Sequence, residues 1–110
     1  MNLTLPFPPS VNAMYRTVGG RMLLSKVGRQ YAIAVKSILG ERFPIDEPLE
    51  VIINAHAPDA RRRDLDNLLK GGLDSITKAG LWADDSLIHK LTIGWAGVPD
   101  PERRVIIDWK

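Results

Sequence analysis

From Leu49 to Ala57 apolar and mixed positions alternate, with Leu49, Val51, Ile53, Ala55 and Ala57 on one face and Glu50, Ile52, Asn54 and His56 on the other. That period of two predicts a central strand. From Leu65 to Ala79 the period lengthens: Leu65, Leu68, Leu69, Gly72, Leu73, Ile76 and Ala79 recur at helical spacing, with Gly80 placed just past the end. A second helix is expected from Ser25, a natural N-cap, to Leu39, burying Val27, Tyr31, Ala34, Val35 and Ile38 and followed by Gly40. Leu3 and Leu5 alternate with polar neighbours in a short first strand stopped by Pro6. Ser10 to Asn12 reads as extended or turn, and Met14–Val18 and Arg21–Leu24 flank Gly19-Gly20 as the arms of a hairpin. Residues 41–48 read as a surface connection. Alternation returns at 87–95 and 105–109, two further strands expected to run antiparallel to each other across the proline-bearing link between them. The pattern predicts an α+β fold, two main helices packed on a mixed β-sheet with an N-terminal hairpin.

A chain of 110 residues with 45% hydrophobic and 25% charged positions fits one domain over residues 1–110. That size buries roughly 65% of the unfolded surface, enough for a single core. With no cysteine, disulfides and thiolate metal sites are excluded, and a reducing cytoplasmic location is expected. No apolar run approaches the roughly 20 residues that span a bilayer, and the proline-rich start is unlike a secretory signal.

Net charge is only +2, yet residues 1–40 carry Arg16, Arg21, Lys26, Arg29 and Lys36 with no acid, so the two parts of the chain stand at +5 and −3. Such asymmetry suits a surface that meets a polyanion beside an acidic site, although an ordinary solvated basic face has the same composition.

The acidic candidates lie in RRRDLDNLLKGGLDSITKAGLWADD, residues 61–85. Aspartates at a helix start are ordinary caps, so Asp64 and Asp66 have a structural reading. Two residues apart on a regular helix point away from each other; these two converge only if Asp64 sits at or outside the cap. If they do, two carboxylates and Lys70 beside Arg61, Arg62 and Arg63 would suit a hard cation held against a phosphate. Asp84 or Asp85 could add a third oxygen ligand. A helix from Leu65 to Ala79 is about 22 Å long, however, and the five residues from Gly80 to Asp84 reach at most about 18 Å. A second subunit supplying Asp84 or Asp85 is therefore a real alternative to a site closed within one chain. His56 is left out, because a hard-cation site prefers oxygen.

RRRDLDN, then Lys70, Asp74, TKAG and WADD in this order, with LPFPPSVN near the N-terminus, closely resemble the RusA family of Holliday-junction resolvases. The resemblance spans most of the chain. It implies an Mg²⁺-dependent homodimer, with Mn²⁺ as an alternative cation, that nicks two opposing strands of a four-way DNA junction. Asp64, Asp66 and Asp85 match the family's catalytic, metal-binding acids and Lys70 its essential lysine. Arg61, Arg62, Arg63 and the basic N-terminal residues Arg16, Arg21, Lys26 and Arg29 would hold the DNA backbone. Leu81, Trp82 and Gly71-Gly72 are candidate dimer contacts, with internal packing as their other reading. Two rivals stand beside this: a metal-dependent nuclease for other branched or linear DNA, and a non-catalytic nucleic-acid-binding domain whose aspartates only cap and pair with arginine.

Overall fold

The alternation at residues 49–55 places Leu49, Val51, Ile53 and Ala55 in the core, and the strand they form, β4 (Leu49–Ala55), is the centre of the fold. This computed structural model describes residues 2–57, 63–96 and 104–110. β4 pairs in parallel with β5 (Ile88–Trp95) and antiparallel with β6 (Arg104–Trp109). β6 in turn pairs antiparallel with β1 (Asn2–Pro6), giving the order β1-β6-β4-β5.

The last two strands do run in opposite directions, but they are not neighbours as their short link suggested. The reason lies in α3 (Leu65–Ala79), which joins β4 to β5. Parallel partners need a crossover, and the helix supplies it, so β5 takes one side of β4 and β6 must take the other. The burial of the strands agrees: β6 hides every second residue, whereas β5 is half-exposed along its length, as an edge strand is.

β1, β4 and β5 therefore point the same way, and their carboxyl ends share one edge of the sheet. The N-terminus of α3 begins at that edge, and its C-terminus returns toward the opposite one. Gly80, at φ 92°, closes the helix by donating its N–H to the carbonyls of Ile76 and Thr77.

α2 (Lys26–Leu39) packs beside α3, and Lys36 Nζ donates to the Ala79 carbonyl at 3.2 Å. Its N-terminus is capped by Ser25, whose hydroxyl accepts from the Gly28 N–H at 3.1 Å. The buried face is Gly28, Tyr31, Val35 and Leu39, while Val27 and Ile38 remain 46% and 44% exposed, a rotation from the expected stripe. A short helix sets that rotation. α1 (Val11–Met14), in the stretch read as extended or turn, lays Met14 against Gly28 so closely that a Cβ there would overlap the Met14 carbonyl. Gly71 of α3 meets the Met14 side chain in the same way. Its close approach is thus to α1 of the same chain.

Leu81 and Trp82 are completely buried, and Trp82 Nε1 donates to Thr77 Oγ1 at 2.7 Å. They are core residues and not exposed contacts. The N-terminal hairpin is present as β2 (Tyr15–Val18) and β3 (Arg21–Leu24), with Gly19 and Gly20 at φ 57° and 77°. Two successive positive φ values give the turn whose twist matches antiparallel strands. Among the described residues no helix is long and apolar enough to cross a membrane.

Candidate active site

Asp64 is the N-cap of α3, extended at φ −94° and ψ 135°, and its side chain accepts no capping hydrogen bond. This is the one boundary that lets Asp64 and Asp66 face a common ligand. Capping aspartates ordinarily spend an oxygen on the free N–H groups of the first turn. Asp64 makes no such bond, and Asp66 lies in the first turn where the macrodipole favours negative charge. Both are exposed, as is Lys70 one turn further on.

Asp66, Lys70 and Asp74 follow one another at intervals of four and so share a face. The Tyr15 ring of β2 lies against that face, with Lys70 Nζ 5.9 Å from its centroid. Its hydroxyl donates to Asp74 Oδ2 at 2.7 Å. The hairpin is thereby joined to α3, and the Lys70 ammonium group lies within cation–π range of the ring. Sequence reasoning missed Tyr15, because nothing in its local pattern says that it reaches a helix fifty residues on.

Burial, followed by the hydrogen bond and charge of Asp74, raises the Tyr15 pKa to about 12. A phenol whose pKa rises on folding contributes stability that is complete below its unfolded value, about 10, and lost as pH rises through the folded one. Tyr15→Phe should lose about 1 kcal/mol at pH 7 through the missing hydrogen bond. Between pH 10 and about 12 the gap to the wild type should narrow. Chemical denaturation across that range checks it, and Tyr31, also shifted upward by burial, is common to both proteins and cancels.

Asp85 opens a 3-10 turn, Asp85–Leu87, that leads into the amino end of β5, so it belongs to the sheet edge opposite Asp64. Desolvation first, then the hydrogen bond and charge of Asp84 and the charge of Asp74, push its carboxyl above the usual range. Asp84 is lowered instead, chiefly because it accepts the Ser86 N–H at 2.8 Å. The turn that Asp85 opens begins six residues past Ala79 and packs on α3, on the half of the helix that holds Asp74. From Asp66 to Asp74 the helix rises about 12 Å. Asp85 of one chain is thus remote from Asp64 and Asp66 of the same chain, and among the described residues no three acidic or histidine side chains converge as metal ligands. The donor set still fits a hard cation in part: Asp64 and Asp66 offer carboxylate oxygen, and Mg²⁺ takes one or two carboxylates with water and substrate oxygens completing the shell.

Of the basic candidates, Arg16 and Arg21 are exposed on the hairpin, and Lys26 is exposed in the first turn of α2. Arg29 is partly engaged, since Nη1 donates to the Leu24 carbonyl at 3.0 Å and ties α2 to β3. Arg63 lies with its guanidinium 5.8 Å from the Phe7 ring centroid. Arg61 and Arg62 lie outside the described residues. Beside Asp64 a cavity of about 340 Å³ opens between the Phe7–Ser10 segment, the start of α3 and Trp95.

A sequence profile of the family described as endodeoxyribonuclease RusA matches residues 6–108. Over 90 residues the chain is 44% identical to the crossover junction endodeoxyribonuclease of Enterobacteria phage 82, covering 79% of this chain and 75% of that one. The proteins of the same name from Shigella sonnei (strain Ss046) and Escherichia coli (strain K12) are each 42% identical over the same shares.

Proposed function

The chain belongs to the RusA family of endodeoxyribonucleases, and from that premise we propose that it resolves Holliday junctions by paired nicking of opposing DNA strands. The observation that carries the site assignment is Asp64, an N-cap aspartate that makes no capping bond, followed by Asp66 in the first turn and by Lys70 one turn after Asp66. Asp64 and Asp66 hold a divalent cation, Mg²⁺ with Mn²⁺ as the alternative. When bound, the cation supplies Lewis-acid polarisation of the scissile phosphate and activation of water.

The chain's own groups do the rest. Lys70, beside the Tyr15 ring, neutralises charge that develops on the phosphoryl oxygens during in-line attack. Arg63, Arg61 and Arg62 hold the backbone at the mouth of the site, and Arg16, Arg21, Lys26 and Arg29 extend that grip along the hairpin and α2. Asp85 completes the acid set from a second copy of the chain, because its own Asp64 and Asp66 stand at the far end of α3. A two-fold dimer then carries two composite sites, which matches a junction that must be cut symmetrically.

The test is a synthetic four-way junction incubated with protein and Mg²⁺, with a linear duplex of the same sequence as control. Paired nicks in the junction alone support the proposal. Equal cutting of the duplex would instead assign the chain to nucleases of wider substrate range. Phosphate contacts should also register in salt dependence. Arg16→Ala and Arg21→Ala are each expected to weaken junction binding and to reduce the slope of log K against log salt by about one. An unchanged slope would remove the hairpin from the DNA interface.

A further inference from the structure

The cavity beside Asp64 has a composition that metal chemistry does not require. Its floor is apolar and flat: Phe7 and Trp95 stack with centroids 6.2 Å apart and planes 16° from parallel. Phe7 and Trp95 come from opposite edges of the sheet. β1 and β5 are separated by two strands, about 14 Å at ordinary strand spacing. The Phe7–Pro9 segment therefore crosses the carboxyl edge of the sheet to reach Trp95, and no sheet hydrogen bond asks it to. Trp95 nevertheless keeps 39% of its surface exposed, whereas Trp82 and Trp109 keep 0% and 9%.

The rim is polar. Arg63, Asp64 and Asn67 border the floor from the start of α3. Asn67 follows Asp64 by three, so the two occupy one side of the helix. Its amide offers a donor and an acceptor to a planar edge, as asparagine does when it reads a base. At about 340 Å³ the cavity falls at the lower end of small-ligand pockets. A flat aromatic floor, an amide on the rim and a guanidinium nearby, open to solvent next to a candidate catalytic carboxylate, fit one unstacked nucleobase.

Resting on the junction-nuclease reading above, we propose that the Phe7–Trp95 platform receives a base flanking the scissile phosphate, unstacked from the strand and bordered by Asn67. The base lies on the pair and not between its rings. An inserted base would need about 6.8 Å, twice the stacking rise of 3.4 Å, and the pair is already closed to 6.2 Å. Holding the neighbouring base in this way fixes the backbone at Asp64 and makes four-way or other distorted DNA, whose bases unstack at low cost, the preferred substrate.

The experiment uses wild-type protein and junctions that carry a single abasic nucleotide at each position around the mapped nick, with binding measured in EDTA so that nothing is cut. One abasic position should weaken wild-type binding about fivefold or more, the lower range of base–aromatic stacking. Trp95→Ala should lose the same factor on the intact junction and nothing further on that abasic one, while Trp95→Phe retains the wild-type pattern. Wild-type tryptophan emission should be quenched by the intact junction and not by the abasic one, a readout that needs no variant to fold. Binding that ignores every abasic position, or the absence of such quenching, overturns the base pocket while leaving junction nicking intact. Failure of the wild type to bind any junction overturns the nuclease reading and the pocket together.

Discussion

Asp66→Asn is expected to bind a four-way junction with near wild-type affinity and to cut it at least about 10²- to 10³-fold more slowly. The substitution keeps the size of the side chain and removes the charge that holds a cation, so binding through phosphates is left in place while stabilisation of the transition state is lost. Asp66 is exposed in the first turn of α3, and surface substitutions of this kind move stability by about 0.5 kcal/mol or less. A folding defect therefore does not mimic the result. Lys70→Ala should behave alike, about 10²-fold down in cutting, because its ammonium group serves the developing charge rather than the ground-state complex. Gel-shift and single-turnover nicking assays on the same preparations separate the two effects. Equal cutting by wild type and Asp66→Asn would take the α3 N-terminus out of the chemistry.

The second expectation concerns where Asp85 works. Asp66→Asn and Asp85→Asn proteins, each inactive alone, should regain nicking when mixed and allowed to exchange subunits. In a mixed dimer with shared sites, one site collects both substitutions and the other collects none. The intact site cuts a single strand, so the product is a nicked junction instead of two separated duplexes. If each chain completed its own site, every site in the mixture would carry one substitution and no activity would return. The geometry favours the first outcome, because α3 separates the Asp64 end from the Asp85 end, and Asp85 sits in the field of Asp84 and Asp74 of its own chain. Recovery should reach at most about a quarter of the wild-type number of live sites when exchange is statistical, because half of the dimers are mixed and each of those holds one live site of two.

The sequence was legible where a local pattern and a local stop agreed. The α3 boundaries follow from seven apolar positions and the Gly80 end, and the β4 core face from strict alternation. The order of strands was not, since the link after β5 says how far the chain can travel and not on which side of β4 it returns. Nor was the buried face of α2, where Gly28, the residue that hides deepest in its first turn, carries no side chain to announce it. At the candidate site, the placement of Asp64 at the cap and of Asp66 and Lys70 on the first turns of α3 could be read from spacing. Tyr15 and the Phe7–Trp95 stack could not, for each joins elements distant in sequence. Within one chain Asp85 stands at the sheet edge opposite Asp64, so the two-subunit site proposed above is the reading that its position in the fold leaves to test.

Everything in the mechanism depends on a cation at the start of α3, and anomalous scattering from crystals of the protein with junction DNA soaked in Mn²⁺ tests that directly. A peak is expected within ordinary coordination distance of Asp64 and Asp66, with a carboxylate from a second copy on its far side. No peak there, with DNA phosphate in place, would contradict it and leave a domain that grips DNA without cutting it.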